Sequence, residues 1–188
     1  KVMQAIPSAR LRWQCKSFTD EAIIAEVKQR LQRSGVDIER ISLLGQVSRE
    51  AYFASYAEVD MNLDTFPFTG GTTTCDALWM GVPTLTLIGN TMIARQGASL
   101  MTAAGLSDWV AANQTEYIEK VIAFSANLTG LATLRSGLRA RLKTSPLFDG
   151  ARFAGHFETA LQELWQEKCA ILAKKFINTA QSSPDEQN

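Results

Sequence analysis

Residues 64–83 read DTFPFTGGTTTCDALWMGVP, and this stretch decides the fold. An apolar run with strand character, Val59–Leu63, precedes it, and a Gly-Gly pair at 70–71 leads into three threonines that open a helical segment ending near Gly81. The first amides of a helix lack intrahelical partners and lie at the positive end of its dipole. Glycine has no Cβ to keep an anion away from the backbone. The strand, loop and helix together are therefore typical of a phosphate site.

The same residues also fit a plainer interpretation, a loop with a good helix cap, because Thr and Asp both cap helices. Asp76 lies one turn beyond Thr72 on the same helix face. There it could accept hydrogen bonds from a ribose, or simply be a first-turn acid that the helix dipole favours. Neither Gly-x-x-x-x-Gly-Lys-Ser/Thr nor a Gly-x-Gly-x-x-Gly after a strand occurs. The sequence thus disfavours a Walker ATPase and an ordinary dinucleotide dehydrogenase.

The composition restricts the class of protein. The chain has 188 residues, 46% of them hydrophobic, and 19 basic residues balance 19 acidic ones. We therefore expect neither nucleic acid nor a membrane as a partner. Three widely spaced cysteines do not suggest a disulfide framework and fit a reducing, cytoplasmic location. With one histidine, His156, a metal site is not expected, and no apolar run approaches the roughly 18 residues that span a bilayer.

Strand and helix patterns alternate along the chain. The predicted strands are Leu11–Cys15, Ile41–Gly45, Val59–Leu63, Thr84–Ile88 and a short one near Trp109–Ala111. The predicted helices are Asp20–Ser34 capped by Thr19, Ser48–Ala57, one from Thr72, about Thr91–Ala104, Gln114–Ala126, Leu128–Leu142 and Ala151 to about Ile177. Crossovers of this length favour a parallel sheet covered by helices on both faces. We expect one domain, residues 1–178, and a disordered polar tail, residues 179–188.

In such sheets ligands bind beyond the carboxyl ends of the strands. The loops after Gly45, Asp64 and Ile88 should therefore line one crevice. This topology places the Gly-Gly-Thr loop in a site independently of its local pattern.

A family resemblance points in the same direction. The motifs Leu63-Asp64-Thr65, Gly70-Gly71-Thr72-Thr73, Asp76-Ala77-Leu78-Trp79 and Gly81-Val82-Pro83 resemble the donor-binding segment of O-linked N-acetylglucosamine transferases, above all their bacterial, tetratricopeptide-linked relatives of the SPINDLY type. The likeness continues through residues 41–57 and 84–165, and includes Ser145-Pro146-Leu147-Phe148. It implies a Rossmann-like α/β fold, the C-terminal half of a GT-B glycosyltransferase.

The resemblance also implies a reaction. Such an enzyme transfers N-acetylglucosamine from UDP to Ser or Thr hydroxyls of an acceptor protein, with inversion, without a cofactor and without an essential metal. The N-terminal catalytic half and the tetratricopeptide repeats of the family are not in this sequence, so the base is expected elsewhere and the segment alone is expected to be inactive. Two alternatives stay open: another donor such as GDP-fucose, and a non-catalytic nucleotide-binding scaffold.

Specific residues match the family's donor site. Gly70, Gly71, Thr72 and Thr73 would hold the diphosphate, although relatives commonly carry a histidine at position 71. Asp76 matches the ribose-binding carboxylate.

The other side of the donor site falls on residues 46–52. The backbone of Val47 would meet the base edge, while Arg49 and Tyr52 stand where relatives have a donor-contacting lysine and a histidine against the uracil. A solvated arginine and a half-buried helix tyrosine are the alternatives for these two side chains. Arg95, Lys16 and Ser17 are weaker crevice candidates. His156 lies in an apolar helical segment and is not expected to be catalytic.

Overall fold

A computed structural model describes residues 1–181 of the chain, with side chains to residue 175. It divides into two compact units, Lys1–Leu147 and the residues from Phe148 onward. Residues 179–188 were predicted to form a disordered tail. Residues 182–188 of this tail lie outside the described residues.

Five short parallel strands lie in the first unit. They are β1 (Leu11–Gln14), β2 (Ile41–Leu44), β3 (Asn62–Leu63), β4 (Thr84–Leu87) and β5 (Val110–Ala111). Strand β1 pairs with β2, and β4 lies between β3 and β5. Every pair is parallel, so the predicted α/β class with parallel strands is confirmed.

Seven α-helices precede, separate or follow these strands in the first unit. They are α1 (Val2–Ala5), α2 (Glu21–Arg33), α3 (Arg49–Ser55), α4 (Thr72–Trp79), α5 (Met92–Ala103), α6 (Gln114–Ala126) and α7 (Leu128–Lys143). Most predicted boundaries agree with these within one or two residues. The described part of the second unit contains one long helix, α8 (Gly150–Gln181). None of the helices within residues 1–181 has the length and apolar character needed to cross a bilayer.

Two local predictions are wrong. The cap of α2 is Asp20, whose carboxylate accepts from the amide of Ala22, while the hydroxyl of Thr19 donates instead to the Lys16 carbonyl. Strand β3 starts three residues later than predicted. The amide of Val59 donates to the Tyr56 carbonyl at 3.3 Å and closes a 3₁₀ turn, so the chain extends only once that turn has ended.

The core lies around β4. Leu85 on β4 is fully buried with side chains from α4, α5 and α7; these are Leu78, Met101, Leu138 and Leu142. Trp109 stacks on Phe124 of α6, with ring centroids 4.2 Å apart. Burial of this much apolar surface fixes β4 and the helices around it.

The end of α4 also has a steric cause. Gly81 follows the helix at φ +79°, a conformation that L side chains rarely adopt, and a Cβ there would lie 2.9 Å from the Arg135 carbonyl oxygen. The predicted stop at this glycine is confirmed. The chain therefore turns sharply from α4 into β4, and this turn fixes the carboxyl end of the Thr-rich helix.

Candidate functional site

A buried carboxylate holds the loop between β3 and α4. Asp64 is only 6% exposed. Its Oδ1 accepts from the amide of Gly70 and its Oδ2 from the hydroxyl of Thr86, both at 2.7 Å. Burial raises the pKa of the Asp64 carboxyl, although these hydrogen bonds oppose the shift. We call this arrangement of Asp64, Gly70 and Thr86 the loop clamp.

Further contacts tie the same loop to α5 and α6. The buried hydroxyl of Thr69 donates to the Ile93 carbonyl at 2.8 Å and accepts from the Gly97 amide at 3.0 Å. A Cβ on Gly97 would lie 2.4 Å from Asp64 Oδ2, so α5 packs directly on the loop clamp. The hydroxyl of Tyr117, on α6, donates to the Asp64 carbonyl at 3.2 Å. The loop is therefore fixed on several sides.

The loop clamp leaves the start of α4 open. Helix α4 begins after Gly71, and among the residues that the structure describes no side chain caps it. By contrast, side chains cap α2, α3, α5, α6 and α7. Thr72 and Thr73 are exposed. The first amides of α4 thus have no side-chain cap from the described residues, and anion binding at this position stays a prediction.

Both glycines of the Gly-Gly pair have close neighbours where a Cβ would lie. A Cβ on Gly70 would lie 2.6 Å from Thr74 Oγ1 and 2.9 Å from Thr73 Oγ1. A Cβ on Gly71 would lie 2.6 Å from Nε2 of Gln96, a side chain of α5. The amide group of Gln96 therefore occupies the space that a side chain at position 71 would need.

A second part of the site lies at the start of α3. The hydroxyl of Ser48 accepts from the Ala51 amide at 3.2 Å, which confirms the predicted cap. A cleft of about 360 Å³ opens here between the ends of β1 and β2 and the first turns of α3. It is lined by Gln14, Cys15, Lys16, Gln46, Val47, Arg49 and Tyr52. Of the predicted residues, the structure thus brings together Val47, Arg49, Tyr52 and Lys16, while Ser17 does not line the cleft.

Two side chains of the cleft, those of Arg49 and Tyr52, contact neighbouring aromatic rings. The guanidinium of Arg49 lies 5.4 Å from the centre of the Phe53 ring, a cation–π contact. The ring of Tyr52 makes edge contacts with Phe53 and Tyr56, each with centroids 5.3 Å apart. Val47 is 44% exposed. The cleft therefore combines two cations, from Arg49 and Lys16, with an aromatic side chain, Tyr52, and an exposed apolar residue, Val47.

Hydroxyl groups join the two parts of the site. The hydroxyls of Tyr52 and Tyr56 lie 2.6 Å apart, and Tyr56 also approaches the Thr73 carbonyl at 3.5 Å. The pKa of Tyr52 is raised chiefly by burial; its hydrogen bond with Tyr56 opposes the shift, and the negative charge of Asp76 adds to it. Asp76 and Tyr52, predicted separately from two motifs, are therefore neighbours.

Two other predicted candidates are not among these contacts. Arg95 is exposed and its guanidinium donates back to the Gly89 carbonyl at 3.3 Å. His156 is exposed on α8, in the second unit. Within the part of the chain that the structure describes, no three His, Cys, Asp or Glu side chains are grouped so that they could hold a metal ion.

Four residues shape the site although their roles were not predicted from the sequence. They are Asp64, Thr86, Tyr56 and Gln96. Thr86 stands inside an apolar strand pattern. A hydroxyl residue at such a position was the one feature of the sequence that could have indicated its role. Asp64 belongs to a quoted family motif and Tyr56 stands one helical turn after Tyr52, but neither pattern indicated a role. Gln96 gave no local signal, because Gly71 lies far from it along the chain.

Comparisons with known proteins give a consistent result. The sequence pattern of the family described as Glycosyl transferase family 41 matches residues 1–157. A probable UDP-N-acetylglucosamine–peptide N-acetylglucosaminyltransferase SPINDLY of Solanum lycopersicum is 35% identical over 170 residues, which are 90% of this chain and 18% of the relative. The probable transferase of the same description named SEC, of Arabidopsis thaliana, is 33% identical over 137 residues, 72% of this chain and 14% of that protein.

One solved structure extends the likeness to the fold. A point mutant of the O-GlcNAc transferase of Thermobaculum terrenum superposes with a TM-score of 0.85 at 35% identity, covering 91% of this chain and 33% of that one. The chain thus spans less than a fifth of the length of the curated relatives named above.

Replacing Gly70 should disturb the loop clamp by overpacking. We expect Gly70→Ala to lower the free energy of unfolding by about 1–3 kcal/mol, because the new methyl group meets two threonine oxygens. Gly137→Ala is the matched control: a Cβ there meets no described atom within 4 Å, and helix propensity predicts a gain of about 0.5–1 kcal/mol. Urea denaturation measures both. Equal changes in the two variants would contradict the steric explanation.

Asp64 should give stability a definite pH dependence. Because the pKa of this carboxyl is raised in the folded protein, its contribution is complete below the unfolded value near 3.8 and is lost as the pH rises through the folded pKa. The free energy of unfolding of wild type minus that of Asp64→Asn should therefore fall between about pH 3.5 and pH 7. Urea denaturation of both proteins across this range tests the direction of the change. If the difference in free energy of unfolding stayed constant or rose with pH, burial would not be the main influence on the pKa of Asp64.

Proposed function

The chain belongs to glycosyl transferase family 41, and we propose that it is the donor-binding part of an enzyme that transfers N-acetylglucosamine from UDP to Ser or Thr hydroxyls of proteins. The family resemblance predicted from residues 63–83 is confirmed by the match over residues 1–157. The choice of donor is supported by the relatives, whose descriptions include UDP-N-acetylglucosamine. The assignment of donor binding to this chain rests on the geometry of its site.

The open start of α4 carries the proposal. The diphosphate would lie on the amides of Gly71, Thr72 and Thr73, where the helix dipole favours negative charge. The loop clamp holds these amides in place before any ligand arrives. The amide of Gln96 lies beside Gly71, and it offers the N–H donor that a side chain at position 71 would otherwise supply.

The cleft next to α3 would receive the nucleoside. Asp76 would accept hydrogen bonds from the ribose, and its neighbour Tyr52 lines the cleft where the base would bind. The backbone of Val47, a residue that is 44% exposed, would meet the base edge. Arg49 and Lys16 add positive charge for the phosphates, Arg49 with a planar fork that can make two parallel hydrogen bonds.

The arrangement explains how such a site would assist sugar transfer. When the bond between the sugar and UDP breaks, negative charge develops on the diphosphate. Helix amides and cations already aimed at that charge stabilise it without reorganisation, and this chemistry needs no metal ion. The base that activates the acceptor hydroxyl would come from outside residues 1–188, so we expect no transfer by this chain alone.

Calorimetric titration with UDP, GDP and UDP-N-acetylglucosamine tests donor binding. We expect the chain to bind the two uridine ligands in preference to GDP. Asp76→Ala should weaken UDP binding about 10- to 100-fold, since hydrogen bonds to a charged group contribute about 1.5–3 kcal/mol.

Asp108→Ala is the matched control for this titration. Asp108 is exposed on the 3₁₀ turn before β5, at the amino end of the sheet, and its loss should leave UDP affinity unchanged. If the chain preferred GDP, the proposed donor would have to be a guanine-nucleotide sugar instead of UDP-N-acetylglucosamine. UDP binding that is indifferent to Asp76→Ala would refute the proposed site.

A further inference from the structure

The side chain of Gln96 lies at the start of α4, where no described side chain caps the helix. Its Nε2 is 2.6 Å from the position that a Cβ of Gly71 would take, and its Oε1 is farther away, at 3.7 Å. Gly71 is the N-cap residue of α4. The side chain of an N-cap residue normally bonds to the free amides of the first helical turn. The amide group of Gln96 therefore occupies the space from which these amides are usually capped.

This arrangement gathers N–H donors in one place. The first amides of α4 are donors without intrahelical partners. The end of Gln96 nearest to Gly71 is its NH₂ group, which also only donates. No side chain of the described residues accepts from these amides as a cap. Donors that converge in this way are typical of a site for an anion, whose oxygens can accept from all of them.

The same helical turn contains a buried hydroxyl without a partner. Thr74 is 1% exposed, and its Oγ1 has no hydrogen-bond partner among the residues that the structure describes. This oxygen faces the loop that leads into α4, since it lies 2.6 Å from the position that a Cβ of Gly70 would take. Buried hydroxyls rarely stay unpaired. The start of α4 thus has unused hydrogen-bonding groups both beneath the loop and on its exposed side, as in a site that a ligand completes.

The order of groups along α4 indicates which part of the nucleotide Gln96 would meet. Asp76, the proposed ribose ligand, stands five residues after Gly71, which is about 7.5 Å along a helix axis. Tyr56, from the turn after α3, approaches α4 at the Thr73 carbonyl, whereas Gln96 approaches it at Gly71. A diphosphate that runs from Asp76 toward Gly71 places its proximal phosphate first and its distal phosphate last. The distal phosphate, which carries the sugar, is therefore the one beside Gln96.

We propose that Gln96 is a specificity-determining residue: its Nε2 donates to the distal phosphate and makes the site prefer a nucleoside diphosphate to a monophosphate. This inference rests on the proposed function, because it needs the nucleotide to lie along α4. The backbone next to Gln96 is well fixed, since the Gly97 amide donates to the buried Thr69 hydroxyl at 3.0 Å. Glycine at position 71 leaves the room that the amide group of Gln96 requires.

The experiment compares UDP with UMP, which lacks the distal phosphate, by calorimetry on wild type and Gln96→Ala. We expect wild type to prefer UDP. Gln96→Ala should weaken UDP binding about 10-fold, the effect of one lost hydrogen bond to a charged group, and should change UMP binding by less than about twofold. Gln96→Glu should weaken UDP binding more, because it replaces the donor by a negative charge. Gln29→Ala, on the exposed face of α2, is the matched control and should leave both affinities unchanged.

Gly71→Ala tests the same contact from the other side. Gly71 has a φ of −111°, outside the left-handed region, so alanine can take its place in the backbone. The new Cβ would displace the amide group of Gln96. Gly71→Ala should therefore lose UDP affinity as Gln96→Ala does, and combining the two should add less than about a further twofold, because the contact is already lost.

Equal weakening of UDP and UMP by Gln96→Ala would overturn the inference, because the side chain would then support the loop and not the distal phosphate. Unchanged UDP binding in Gln96→Ala would overturn it as well. In both cases the proposed function would stand as long as Asp76→Ala weakens UDP binding. A wild type that binds UDP no better than UMP would show that the distal phosphate is not held at α4. If wild type binds neither ligand, the proposed function fails and the inference falls with it.

Discussion

The buried carboxylate of Asp64 is the constraint on which the rest of the site depends. An ionised group taken out of water is costly unless hydrogen bonds compensate it, and here one oxygen receives the Gly70 amide and the other the Thr86 hydroxyl. These two hydrogen bonds join the end of β3 to the loop that follows and to the neighbouring strand β4. As a result, the chain reaches Gly71 in a fixed position, and α4 starts there without a side-chain cap from the described residues.

The remaining contacts extend this order to the second part of the site. Thr69 ties the loop to α5, Tyr117 ties it to α6, and Arg135 connects the end of α4 with the turn after α3. The start of α3 follows the carboxyl end of β2 and the start of α4 follows that of β3, and ligands of such folds bind at the carboxyl ends of parallel strands. The proposed anion site and nucleoside cleft both follow the ends of parallel strands, and the pair Tyr52–Tyr56 connects α3 with the Thr73 carbonyl of α4.

Much of this could be predicted from the sequence because it follows from local periodicity. The helices, the strand order in the chain, the Ser48 cap and the stop at Gly81 depend on neighbouring residues, and the predictions for them agree with the structure. The misplaced cap shows the limit of local reasoning: Thr19 and Asp20 are both good capping residues, and the preceding turn decided between them by engaging Thr19 with the Lys16 carbonyl. The loop clamp could not be predicted, because Asp64 meets Thr86 only after the crossover through α4 is complete. For the same reason Gln96, which lies beside Gly71 only in the folded chain, gave no signal in the sequence. The residues chosen from the family motifs stay predictions, although the structure gathers most of them around one region.

The central claim is that the first amides of α4 bind the diphosphate of a nucleotide donor. The most direct measurement is an amide ¹H–¹⁵N correlation spectrum of the chain during titration with UDP. We predict saturable shifts of the Gly71, Thr72 and Thr73 amides, together with shifts at Val47 and Arg49. Saturable UDP binding that leaves the amides of residues 71–73 unmoved would contradict the claim.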